Sequence, residues 1–332
     1  MHRMISTAVA AAGNRCLHFD KDGRQCKKIA IQSHSLQRRG PLETIAESGH
    51  VTKIGPSLKA RPSEDRLLFE CIGVRKASTF PGFCEEHDRG IFEKIEQQNI
   101  TLNEQTATIL GIRSMAMELY RKHVMVQIYR ELVEDLKLRN ADQTLQNYKW
   151  IKRGAERAIK VNTRKLKKLF RDYYRGVSGN FHYTFFEFDR QVPFASTGAF
   201  EPAWDLDKNC LFECNPIRTH WNSVSLFCGN VGDNFYAVLS GYQKYRAHRI
   251  DTFLNSLDAN SSDLISALFA ISVVHLENCY VRSSWLETLS DNEISKISAM
   301  ARSGILDGLG SPLPLSMRVR FPKAELISYR KI

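Results

Sequence analysis

Four side chains that suit borderline metals limit what this chain can fold into more than any other feature. Cys16 and Cys26 bracket Leu-His-Phe-Asp-Lys-Asp-Gly-Arg-Gln, and Cys84-Glu-Glu-His87 stands far along the chain behind Pro81-Gly-Phe83. Asp22-Gly23, with Leu17, Phe19, Ile29 and Ile31 around it, is the strongest short hairpin signal. It sets the first two thiols on opposite arms of one hairpin. From Cys84 onward Ile91, Phe92 and Ile95 recur at helical spacing, so Cys84 and His87 share a face of the first turn. The positive end of the helix dipole favours a thiolate there. Three thiolates and an imidazole form a tetrahedral zinc donor set. The chain is therefore expected to hold one structural zinc on Cys16, Cys26, Cys84 and His87. Zn–S bonds of about 2.3 Å require these atoms to converge to within about 4 Å.

The remaining pattern predicts an α+β protein in three parts: a zinc module at 1–98, a helical segment at 99–178 and an α+β domain at 179–332. Residues 1–13 read as a loose leader, too short in apolar length for a secretory signal. Ser35 is expected to cap a helix running to Ser48, interrupted or delayed by Pro41 and stopped by Gly49. Leu67–Val74 reads as a strand, and 102–178 as two long helices broken at Asn140-Ala-Asp-Gln. The alternation in Phe181–Phe188, Leu211–Cys214 and Ser223–Cys228 predicts an antiparallel sheet. Helices are expected at 235–258, 261–273 and 290–307, and a short strand at Met317–Phe321. The chain has eight cysteines, and Cys210 and Cys214 are expected in the core. The irregular spacings argue against a disulfide framework.

Two cysteines on a hairpin, a short apolar run ending in His34, and Phe83-Cys-Glu-Glu-His-Asp88 on a helix resemble the HNH, or ββα-metal, endonucleases with a treble-clef zinc module. The resemblance covers under a quarter of the chain. It implies that His34 is the general base that activates water and that Asp88 is a ligand for a catalytic Mg²⁺ or Mn²⁺, with His50 as a further candidate. Phosphodiester hydrolysis needs an imidazole that is neutral near pH 7 and a cation to offset charge on the phosphate. Where the family has a His or Asp before the strand histidine, this chain has Ser33, and the middle asparagine has no counterpart. A module that keeps the zinc and binds nucleic acid or protein without cutting is the alternative.

The second informative stretch is Lys149–Arg175, where eleven lysines and arginines face two acidic residues, Glu156 and Asp172. Arg153, Arg157, Lys160, Arg164, Lys168, Arg171 and Arg175 step by three and four, so they form one stripe along a helix. With a formal charge of +11 and an isoelectric point near 9.3, such a one-sign stripe points to phosphate contacts with DNA or RNA. No apolar run reaches the roughly eighteen residues of a membrane span. The chain is accordingly expected in the cytoplasm, with nucleic acid rather than a membrane as its partner.

Overall fold

The computed structural model describes residues 13–55, 68–96, 100–138, 142–176, 180–211, 223–242, 248–259, 264–276, 278–306 and 319–331. Its frame is an antiparallel sheet of eight strands in the order β10-β5-β8-β7-β6-β9-β2-β3. These are β2 (His50–Ile54), β3 (Phe69–Gly73), β5 (Phe181–Phe188), β6 (Phe194–Phe200), β7 (Val224–Val231), β8 (Asn234–Tyr242), β9 (Cys279–Val281) and β10 (Leu326–Lys331). A separate two-stranded sheet pairs β1 (Gln32–His34) with β4 (Thr79–Pro81).

Side chains alternate across the large sheet and divide the core in two. Phe186, Phe188, Leu226, Phe235, Leu239 and Val281 join one cluster, while Phe181, Tyr183, Phe185, Phe227, Val238 and Tyr280 join the other. The first is closed by α4 (His248–Ala259), α5 (Leu264–Ile271) and α7 (Asp291–Leu306), with the single turn α6 (Ser283–Glu287) beside them. The second is closed by α1 (Glu85–Phe92), α2 (Glu104–Leu138) and α3 (Asp142–Arg175). Because both faces are covered, β6 and β7 are buried along their whole length. That masks the polar alternation an exposed sheet would show.

Helix α2 starts at a reciprocal cap: Asn103 Oδ1 accepts from the Thr106 amide at 3.1 Å, and Thr106 Oγ1 accepts from the Asn103 amide at 2.8 Å. Such a cap satisfies amides that the first helical turn leaves open. Helices α2 and α3 occupy most of the expected helical stretch; of the break expected at 140–143, residues 142 and 143 belong to α3 and 140–141 lie outside the described residues.

Several expectations are corrected. The helix capped by Ser35 is reduced to Glu43–Ile45, because Arg39 is extended and Gly40 sits at φ 102° just before Pro41. Residues 235–242 are not helical: Gly232 at φ 60° and Asp233 close a two-residue turn, with Val231 opposite Asn234, and β8 returns along β7. Glycine at the first central position is what such a hairpin turn asks for. Among the described residues the helix in that stretch covers His248–Ala259. The last strand is β10 rather than 317–321, of which 319–321 are not strand and 317–318 lie outside the described residues. Cys210 is exposed instead of buried, while Cys214 and most of the strand expected at 211–214 lie outside the described residues. Residues 1–12 of the leader expected at 1–13 do as well. Strand β2, from the segment 1–98, joins the large sheet by pairing with β9 through Thr52 opposite Val281 and Ile54 opposite Cys279.

Candidate functional site

The hairpin at the N-terminus forms around its Asp-Gly turn. Asp20 Oδ1 accepts from the amides of Asp22 and Arg24, Gly23 takes φ 78°, and Phe19 bridges Gln25. Across the arms, the Cys26 amide reaches the His18 carbonyl at 2.9 Å and the Cys16 amide reaches Lys28 at 3.0 Å. Strands β1 and β4 then lead into α1, whose first turn carries Glu85, Glu86 and Asp88 at its positive end.

This arrangement brings the donor atoms of Cys16, Cys26, Cys84 and His87 within 4.8 Å of one another. His87 Nδ1 lies 3.2 Å from Cys84 Sγ and 3.5 Å from Cys16 Sγ. The 3.2 and 3.5 Å separations suit neighbours around one ion, the 4.8 Å limit is wider than the roughly 4 Å expected of a closed site, and the four donors are of the types that zinc takes tetrahedrally. Cys16 and Cys84 are buried, Cys26 and His87 half-buried. Burial pushes the Cys16 thiol up to about 12, so an unliganded thiolate there would be strongly disfavoured and a bound cation would reverse the balance.

A supporting layer fixes the imidazole. His18 stacks on His87 with ring centroids 3.6 Å apart, and its Nε2 lies 2.6 Å from the Tyr174 hydroxyl on α3. The backbone amide of Lys28 points at Cys26 Sγ at 3.4 Å, and the Lys28 side chain pairs with Glu86. The tip of the hairpin leans on α3, with Lys167 Nζ 5.1 Å from the centre of the Phe19 ring. His18 was not among the residues expected at the site. Its place between the two cysteines was the available signal.

His34 ends β1 as expected. It shares a cavity of about 330 Å³ with Asp88, and the other acidic members are Glu93 and Glu96. Arg38, Arg39, Arg89 and Arg113 complete the walls. His34 Nε2 lies 3.4 Å from the Val74 carbonyl. Burial lowers the His34 pKa, so the ring is neutral near pH 7. Burial raises that of Asp88, whose buried Oδ1 has no hydrogen-bond partner. His50 does not join them: it is exposed at the start of β2, its Nδ1 lies 2.9 Å from the Ser48 carbonyl, and it is not part of the cavity wall. Ser33, where the resembled family carries a metal ligand, has its Oγ engaged by the Phe83 amide at 3.0 Å.

On α3 the side chains of Arg153, Arg157, Lys160, Arg164, Arg171 and Arg175 are exposed along one face. Lys168 departs from them, half-buried with Nζ 3.9 Å over the Tyr242 ring. Lys165, one of the eleven basic residues of this helix, turns inward and donates to Ser223 Oγ at 2.5 Å. Trp150 is 55% exposed and lies three residues before Arg153 on the same face. Its helical spacing was the signal for it.

No protein-family model, curated protein or solved structure matches the chain. Among the described residues no helix is long and apolar enough to cross a membrane.

Proposed function

We propose that this chain binds nucleic acid through α3 and cuts it at the cavity beside a zinc-held module of the HNH-like, ββα-metal kind. A hairpin with two thiols, the β1–β4 pair and a helix opening on Cys84 follow one another in the order such a module needs, and zinc is the ion that suits three thiolates and an imidazole. The observation that carries the catalytic part is that His34 and Asp88, on separate elements, line one cavity in which Asp88 Oδ1 lacks a partner. A neutral His34 takes a proton from the attacking water, as a general base must. A Mg²⁺ or Mn²⁺ ion, when bound, would offset charge on the scissile phosphate, and Mg²⁺ is commonly held by one or two carboxylates plus substrate phosphate. Asp88 supplies such a carboxylate. The exposed arginines and Lys160 on α3 supply phosphate contacts, and Trp150 offers a face on which a base can stack.

One observation favours a binding module that does not cut. Among the described residues the only group of three or more His, Cys, Asp or Glu donors that converges is the Cys16, Cys26, Cys84, His87 set. A nuclease assay decides between the two. The zinc-loaded protein is expected to cleave DNA or RNA with Mg²⁺ or Mn²⁺, and His34→Ala should lower the rate by about 10²–10⁴ while zinc content and nucleic-acid affinity stay unchanged. Absence of cleavage by the wild type with either ion on any nucleic acid, or equal rates in the variant, leaves the non-catalytic module.

A further inference from the structure

Arg113 is the least explained charge in the fold. It projects from α2, outside the module that carries His34 and Asp88, and is 1% exposed. One nitrogen, Nη2, meets Glu96 Oε1 at 2.5 Å, and the guanidinium carbon lies 4.2 Å over the Phe92 ring. Nε and Nη1 are buried with no hydrogen-bond partner. A guanidinium stays charged at every physiological pH and carries five N–H donors. The two partnerless nitrogens account for three of them by that count. Buried polar groups of native proteins are almost always satisfied, and an unsatisfied charged one calls for a missing partner.

The same cavity wall holds the opposite case. Asp88 Oδ1 is buried and partnerless as well, yet the carboxylate and the guanidinium do not bond to each other. A guanidinium that keeps two nitrogens open beyond its pair with Glu96, and a carboxylate with one oxygen open, in one cavity of about 330 Å³, are satisfied together by a ligand that is itself a cation–anion pair. A phosphate group with a divalent cation is such a ligand: its oxygens accept from a guanidinium, and its cation takes a carboxylate oxygen. Glu96 is already engaged by Arg113, and Glu43 lies 3.7 Å from Arg38 Nε. Arg39 and Arg89 add further positive charge to the wall.

We propose that Arg113 is a phosphate-binding residue that holds one phosphate of a metal-bound phosphate ligand in this cavity, with Asp88 on the cation. That the phosphate belongs to a nucleic-acid strand rests on the function proposed above; the phosphate subsite itself does not.

The test uses zinc-loaded full-length protein and inorganic phosphate as the probe, with Mg²⁺ present and chloride at matched ionic strength as the control. Phosphate is expected to raise the melting temperature of the wild type. Arg113→Met, which keeps length and loses the donors, should weaken the apparent phosphate affinity at least tenfold. Arg113→Lys keeps the charge beside Glu96 and decides the matter if the methionine variant does not fold; it too should weaken phosphate binding at least tenfold. His34→Ala should leave the phosphate response intact, and a wild type that binds phosphate yet cuts no nucleic acid counts against the nuclease reading alone. A 5′-nucleoside monophosphate that binds more tightly than phosphate through Arg113 identifies a nucleotide source; equal affinities identify a free phosphate ion. No response of the wild type up to millimolar phosphate overturns the proposal, leaving bound water as the partner of Arg113. An undiminished response in either Arg113 variant overturns it too, and places the phosphate on the α3 stripe instead.

Discussion

His275 shows how one side chain writes its environment into the pH response. Its ring stacks on Phe200 with centroids 5.1 Å apart and planes 9° apart, and burial pushes its pKa down to about 4. The unfolded chain, with an ordinary histidine pKa of about 6.5, takes up the proton first. Stability is therefore fully present above about pH 6.5 and is lost as the pH falls toward about 4, by on the order of 3 kcal/mol across that window. His275→Phe keeps the stacked ring and removes the titration. Melting curves at pH 7 and pH 5 should differ less in this variant than in the wild type, and an equal acid loss in both would rule out His275 as the source. The four thiol and imidazole donors were legible at the same scale, because residue type and spacing alone bring Cys84 and His87 onto one helical turn. Arg113 was not, because nothing near it in the chain distinguishes a buried arginine on α2 from the many exposed ones.

At the scale of the element, the contacts proposed for α3 are of two kinds that salt can separate. In that proposal the exposed arginines meet phosphates as point charges, and each such contact contributes about 0.9 to the slope of log affinity against log salt on duplex DNA. Reversing Arg157, Arg164 and Arg171 to Glu should lower affinity across all sequences and reduce that slope by about 3. The role proposed for Trp150 differs, since stacking a base releases no counterions. Trp150→Ala should weaken single-stranded binding by about 1–3 kcal/mol with the salt slope unchanged. Fluorescence anisotropy over a salt series measures both, and a Trp150 variant that binds single strands as well as the wild type removes the stacking role. The stripe was readable because helical spacing is local, so the exposed arginines fall on one face as expected. Lys168 departed because Tyr242 of β8 lies beneath it, and β8 itself had been read as helix. Its period of two is hidden where both faces of a sheet are buried, as with Phe235, Ala237, Val238 and Leu239.

At the scale of the molecule, the segment that carries the Cys and His donors and the large sheet are built together. Between β1 and β4 the chain leaves to form β2 and β3, and β2 enters the large sheet beside β9. Side chains fasten the seam: the Ser78 amide donates to the Tyr280 hydroxyl at 2.6 Å, Asn278 Nδ2 to Ser35 Oγ at 3.1 Å, and the Ser284 amide to Glu47 Oε2 at 2.8 Å. Phe83 adds an apolar link, packed edge-on against Phe92 and Phe170 with centroids 4.9 Å and 6.4 Å away. None of this was legible in the sequence, since a register that sets Thr52 opposite Val281 is chosen by partners far apart in the chain. It does fix what losing the metal should do. If zinc holds Cys16, Cys26, Cys84 and His87, removing it with a chelator, or by Cys84→Ser, releases the hairpin and the start of α1. The loss then passes through β1–β4 to the β2–β9 seam. Loss of a structural metal belongs with the largest single-site effects, at least about 4 kcal/mol. Metal analysis should read one zinc per chain in the wild type and none in Cys84→Ser. Calorimetry should show one transition moved to lower temperature, with near-UV and far-UV signals melting together. A main transition left in place, with only a small early one lost, would mean that the metal-binding segment unfolds by itself and that the seam transmits nothing.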